Sequence, residues 1–137
     1  MPHCIIDASI TLAWIFDEDG RGEVLDKLLR PLNLAAPWLW RLEVANAILV
    51  RERRKDLTQV QGMQYLQALE SLEIEVLDEP VNRSLSQLAQ LARPHQLSAY
   101  DAVYLDLAVS LNLPLFTDDR NLQHACNRAG VELISPP

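Results

Sequence analysis

Short apolar runs alternating with amphipathic stretches are the feature that most limits what this chain can fold into. Runs of strand length occupy residues 3–7, 34–36, 74–77, 113–117 and 131–134. Segments with helical spacing lie between them, a pattern that produces a parallel sheet covered by helices on both faces. An α/β fold with about five short strands is therefore expected. The first helix carries Ile10, Leu12, Trp14, Ile15 and Phe16 and stops near 17–20. A second spans 22–29, with Val24, Leu25, Leu28 and Leu29 on one stripe and Pro31 ending it. Proline is accepted in a first helical turn, so Pro37 is read as opening a long helix through Trp38, Leu42, Ala45, Leu49 and Arg53. Thr58 and Gln61 have capping-box spacing and announce a helix reaching about Leu72. Pro80 precedes a helix carrying Leu85, Leu88, Leu91 and Ala92, and further helices span 98–111 and 119–129, the last closed by Gly130. No repeat, linker or low-complexity tract interrupts the 137 residues, so one domain over 1–137 is expected.

Four acids far apart in the sequence, Asp7, Glu43, Asp101 and Asp119, each adjoin an apolar segment. Asp7 and Asp119 stand where strands should end, while Glu43 and Asp101 sit inside helical patterns. Burying a lone carboxylate costs several kcal/mol or drives it neutral. Ligands of open parallel sheets bind beyond the carboxyl ends of the strands, so neighbouring first and fourth strands would bring Asp7 and Asp119 to roughly 5 Å. Two charges at that distance repel by about 3 kcal/mol at an effective dielectric of about 20. A shared divalent cation removes the conflict. Carboxylate oxygens suit Mg²⁺ or Mn²⁺, whereas zinc recruits His or Cys, and His3, His95 and His124 show no ligand spacing. Mg²⁺ keeps waters when bound, and one of these can attack a phosphodiester in line.

Each acid also has a purely structural reading. Asp7 and Asp119 could cap the helices that follow them, and Ser98 with Asp101 has capping-box spacing. Glu43 resists this treatment, because it follows the first helical turn among apolar neighbours. Asp106, about 140° round the helix from Asp101, should not share the site. Asp118 is read as a turn residue, with a fifth ligand as the alternative.

The formal charge of −7 looks unfavourable for binding nucleic acid, although four of the negative charges belong to the proposed site. Arg51, Arg53, Arg54 and Lys55 form a basic cluster that is either a solvated helix end or a contact for nucleic-acid phosphates. The acidic stretch Glu70, Glu73, Glu75, Asp78 and Glu79 reads as a solvated surface. No run of eighteen apolar residues occurs, and Asp7 interrupts the first apolar stretch. Neither a membrane span nor a secretory signal is expected, which points to a cytoplasmic protein. Cys4 and Cys126 read as free core thiols, consistent with a reducing compartment.

The blocks Ile6-Asp7-Ala8-Ser9, Leu42-Glu43-Val44-Ala45-Asn46-Ala47, Leu97-Ser98-Ala99-Tyr100-Asp101-Ala102-Val103-Tyr104-Leu105 and Pro114-Leu115-Phe116-Thr117-Asp118-Asp119-Arg120-Asn121-Leu122 follow one another in the order found in PIN domains. With Trp14 and Pro37, they make the whole chain resemble the VapC-type ribonuclease toxins of bacterial type II toxin–antitoxin pairs. The resemblance implies that Asp7, Glu43, Asp101 and Asp119 form a Mg²⁺ or Mn²⁺ site, with Ser9, Asn46 and Thr117 assisting. It implies endonucleolytic cleavage of RNA leaving a 5′-phosphate, a homodimer, and an antitoxin whose C-terminal segment occupies the groove. An antitoxin Arg or Lys would fill an acidic pocket much as a metal does. One departure is Ala13, where related chains often carry a basic residue. Alternatives are a PIN-like RNA-binding or assembly module without turnover, or a nuclease of this fold that processes RNA or DNA outside a toxin pair. A phospho-accepting receiver domain would need an acidic pair after the first strand and a lysine near the last, and neither is present.

Overall fold

The computed structural model describes residues 1–78 and 83–135. Among them run β1 (Cys4–Ile6), α1 (Ala8–Ile15), α2 (Gly22–Leu29), β2 (Leu34–Pro37), α3 (Leu39–Arg53), α4 (Gln59–Ser71), β3 (Glu75–Leu77), α5 (Leu85–Ala92), α6 (Ala99–Leu111), β4 (Leu115–Phe116) and α7 (Arg120–Ala129). Single 3₁₀ turns, Glu18–Gly20 and Arg93–His95, precede α2 and α6. None of the described helices is long and apolar enough to cross a membrane.

The sheet is wholly parallel in the order β3-β2-β1-β4. β1, β2 and β4 read as unbroken apolar runs because both faces are covered, whereas the edge strand β3 begins with the exposed Glu75. Cys4, Ile5 and Ile6 are fully buried, as are Leu115 and, almost completely, Phe116. Cys4, Ile6, Leu34 and Phe116 meet Ile10, Ala13 and Trp14 of α1 and Leu25 and Leu29 of α2 on one side. Ile5 and Leu115 meet Trp40 and Val44 of α3, Leu69 of α4, Tyr104 and Leu105 of α6, and Leu122 and Ala125 of α7 on the other. The chain leaves β1 toward β2 on one flank and reaches β4 on the other, so the order reverses between β1 and β4. That reversal opens a crevice at the carboxyl ends of these two strands.

The α/β class and the parallel sheet match the expectation from sequence, but the sheet has four strands among the described residues rather than five. The expected last strand is reduced to a bridge between Leu115 and Leu133. β4 offers only two residues, so pairing beyond Leu115 stops at the Leu115 N–H to Glu132 bond (2.9 Å) and the Ile134 N–H to Leu115 bond (3.1 Å). Pro37 also differs, because it closes β2 opposite Leu77 instead of opening α3. The last residue of a strand tolerates a missing N–H as readily as the first turn of a helix does.

In α3 the residues Trp38, Leu42 and Leu49 that marked the helix in sequence lie on its exposed side, and Trp40, Val44 and Ile48 are buried instead. Trp40 explains this orientation, since its indole N–H donates to the Thr11 hydroxyl at 2.9 Å. The expected capping box of α4 is complete, with Thr58 and Gln61 exchanging bonds of 3.1 and 2.9 Å. A second box, Ser84 with Gln87, opens α5. Its Ser-x-x-Gln signature was present in the sequence. Pro80, read there as the residue preceding this helix, lies outside the described residues. Gly130 ends α7 at φ 76°, a conformation that favours glycine.

Thr11 ties α1 to α3 with no exposure to solvent, its hydroxyl donating to the Asp7 carbonyl at 2.8 Å while accepting from Trp40. Thr11→Val keeps the shape but strands the buried Trp40 indole N–H, and it leaves the Asp7 carbonyl with the Thr11 backbone N–H alone, at 3.2 Å. We expect a loss of about 2 kcal/mol in denaturant unfolding. A change below about 0.5 kcal/mol would show that neither group depends on that hydroxyl.

Candidate active site

Asp7 follows β1 directly, and its backbone N–H extends the ladder to the Phe116 carbonyl of β4 at 3.2 Å. Its carboxylate caps α1 by accepting the Ile10 N–H at 3.1 Å. Ser9 donates to the same oxygen at 2.6 Å, and Thr117, at the end of β4, donates to the other. The carboxyl group is 5% exposed, and burial pushes its pKa up to about 6. The Ser9 and Thr117 hydroxyls and the Ile10 N–H oppose that rise, while the charge of Asp101 adds to it.

Thr117, 3% exposed, also accepts the Asp119 N–H at 3.0 Å. Asp119 in turn caps α7 through the Leu122 N–H at 2.9 Å. Asp101 lies in the first turn of α6, where the Ser98 hydroxyl accepts its N–H at 3.0 Å. Burial raises the Asp101 pKa first and the Asp119 charge second, with Ser98 working against them. Glu43 projects from α3 and accepts the Tyr104 hydroxyl at 2.7 Å. Its pKa is raised by burial, lowered by that hydrogen bond, and raised again by Asp7 and Asp101. Asp7, Asp101 and Asp119 thus each act by charge on another of the four acids, and Glu43 feels two of them. Yet among the described residues no three of His, Cys, Asp and Glu are gathered closely enough to enclose an ion as they stand.

The remaining predicted residues divide. Ser9 and Thr117 touch Asp7 directly. Asn46 is exposed one turn beyond Glu43 and makes no side-chain hydrogen bond among the described residues. Asp118 turns its carboxylate to Arg21 in a two-pronged pair of 2.7 and 2.9 Å, while its N–H donates to Ser9 at 3.1 Å. Arg51 lies 4.0 Å from the centroid of the Phe16 ring and pairs with Glu18 at 3.1 Å. Arg53, Arg54 and Lys55 are exposed at the far end of α3. Ten residues separate Glu43 from Arg53, about 15 Å along the helix. Asp106 pairs with Arg83 at 2.6 Å, in keeping with its exclusion from the site. Ala13 is fully buried, so its position faces the core.

Sequence reasoning missed two side chains near the acids. Arg21 joins Asp118 across 97 positions, and nothing local announces such a pair. Tyr104 carried a signal, because it lies one helical turn from Asp101 in an apolar stretch and a buried phenol needs a partner. A cavity of about 440 Å³ lined by Trp40, Val44, Leu66, Leu69, Ile74 and Val76 includes none of the four acids.

The chain is 30% identical to Ribonuclease VapC1 of Mycobacterium tuberculosis over 127 residues, covering 91% of this chain and 92% of that protein. Among solved structures it is similar to PAE2754 from Pyrobaculum aerophilum, with a TM-score of 0.66, 24% identity, and 94% and 90% of the two chains covered. The FitAcB structure from Neisseria gonorrhoeae gives a TM-score of 0.65 at 19% identity, covering 97% of each chain. VapBC2 from Rickettsia felis, bound to a DNA fragment from their promoter, gives 0.63 at 16% identity, covering 95% and 96%. These likenesses support the fold, and the model of the PIN domain family matches residues 4–127. The chain therefore belongs to the PIN-domain family.

Proposed function

We propose that this protein is a divalent-metal-dependent endoribonuclease acting as the toxin of a type II toxin–antitoxin pair. The observation that carries the reading is the charge-coupled set of Asp7, Glu43, Asp101 and Asp119, centred on a buried Asp7 at the crevice between β1 and β4. The ribonuclease relative and the solved VapBC2 complex favour the same assignment.

The donor set fits Mg²⁺ or Mn²⁺, since it consists of carboxylate oxygens whose mutual repulsion and burial a hard cation would relieve. Asp7, Glu43, Asp101 and Asp119 would hold the ion, which when bound supplies an activated water and neutralises charge developing on phosphate. The protein's own groups prepare that site. Ser9 and Thr117 fix both oxygens of Asp7, and the Thr117 hydroxyl also holds the backbone of Asp119. Arg53, Arg54 and Lys55 attract the RNA chain at a distance from the scissile bond. The biological unit is a homodimer in the cytoplasm, silenced by an antitoxin that presents a cation to the carboxylates.

The spacing of the acids favours a second reading, an RNA-binding or assembly module without turnover. Cleavage separates the two. Purified, antitoxin-free protein with Mg²⁺ or Mn²⁺ should cut RNA to 5′-phosphate ends. Asp7→Asn should lose at least about 100-fold, because removing even an outer partner of a metal ligand costs 10–100-fold. In the same assay, replacing Arg53 and Arg54 by Ala should flatten the salt dependence of RNA binding by about 1.4 log units per log unit of salt. Equal cutting by wild type and Asp7→Asn would expose a contaminating nuclease, and no cutting by either would leave the binding module as the better reading.

The pH dependence of the ion-free protein follows from Asp7. Its pKa in the fold, about 6, lies above the ordinary 3.8. A carboxyl group raised in this way stabilises the fold fully below its unfolded pKa, and the contribution disappears as pH rises through the folded value. Glu43 and Asp101 shift in the same direction. In chelator the protein should be more stable near pH 4.5 than near pH 7, by about 2 kcal/mol from Asp7 alone. Asp7→Asn should remove most of that slope. A slope that is flat in the wild type, or unchanged in the variant, would contradict this account of the buried carboxyl.

A further inference from the structure

We propose that Tyr104 is a positioning residue that presents Glu43 to the cation, an inference resting on the metal-nuclease reading above. Tyr104 is 1% exposed, and its hydroxyl donates to Glu43 Oε1 at 2.7 Å. Ala8 packs against the same core cluster as the Tyr104 ring. Tyr104 sits three residues after Asp101 on α6, while Ala8 follows Asp7 at the start of α1. One rigid ring therefore joins the Glu43 side chain to the helix that carries Asp101, within the cluster that Ala8 packs against beside Asp7.

The consequence concerns freedom of rotation. A glutamate must turn about three side-chain bonds to reach an ion, and fixing them carries an entropic cost. With Oε1 held by the phenol, most of that cost is met before the ion arrives, and Oε2 is the oxygen left for coordination. Acidic ligands that are themselves hydrogen-bonded bind metal more tightly for this reason. A donor on a carboxylate also makes it a weaker base, which acts in the opposite direction. Of the two effects, orientation prevails.

Tyr104→Phe keeps the ring in the core and removes only the hydroxyl. With the full chain, Mn²⁺ is titrated and both the melting temperature and the rate of RNA cleavage are followed. We expect half-saturation to move about tenfold or more toward higher Mn²⁺ by both readouts, with excess ion recovering most of the rate. Combining the change with Glu43→Gln should add nothing to the effect of Glu43→Gln alone, since Tyr104 acts through that side chain. 4-Aminophenylalanine at 104 puts an N–H at the same ring position, should recover wild-type half-saturation, and serves as the comparison if the Phe variant does not fold.

Unchanged or tighter Mn²⁺ binding in Tyr104→Phe would overturn the inference, as would full additivity with Glu43→Gln. So would an altered half-saturation in the 4-aminophenylalanine protein. A wild type indifferent to Mn²⁺ in both readouts would instead bring down the metal-nuclease reading, and this inference with it.

Discussion

The carboxylate of Asp7 is held where β1, α1 and the end of β4 meet, and the rest of the site is arranged around that point. Its hydrogen bonds reach Ser9, Ile10 and Thr117, so a single charged group joins a strand, a helix start and a neighbouring strand end. The parallel pairing of β1 with β4 makes this possible, because it sets the carboxyl ends of both strands side by side. A buried carboxyl group with such partners still has a raised pKa. The surrounding hydrogen bonds do not fully compensate for lost hydration. In the proposed metal site, that remaining electrostatic deficit is what a bound cation would relieve.

In the sequence, capping and metal binding are competing explanations of the same acids. The structure removes the competition, since Asp7 and Asp119 cap α1 and α7 while remaining electrostatically coupled to the other acids. A carboxylate has about four lone-pair sites, so accepting one backbone N–H leaves capacity for more. The cap also fixes the position from which the acid acts. Asp101 differs, because Ser98 supplies the cap of α6 and the carboxylate is left for its acidic neighbours.

Features governed by local periodicity were legible in the sequence. The buried runs of β1 and β4, the Thr58–Gln61 box and the Gly130 stop are each set by neighbouring residues or by simple burial. Features set by partners far along the chain were not. Pro37 satisfies the end of a strand as well as the start of a helix, and only its pairing with Leu77 decides between them. The buried face of α3 depends on Thr11 capturing Trp40, twenty-nine positions away. The same limit applies at the site. Asp7 and Asp119 could be grouped in advance because strand ends converge, and Ser9 and Thr117 joined them only through the family resemblance, whereas Arg21 with Asp118 and Tyr104 with Glu43 depend on how helices and turns settle against the sheet.

The central claim is that Asp7, Glu43, Asp101 and Asp119 act as one ligand set for a hard cation. Anomalous diffraction from crystals of the protein grown with Mn²⁺ tests it without relying on turnover. A manganese peak bounded by these carboxylates, within about 2.0–2.6 Å of at least two of them, is expected. Manganese bound only elsewhere, or Glu43 and Asp101 turned away from Asp7, would contradict it.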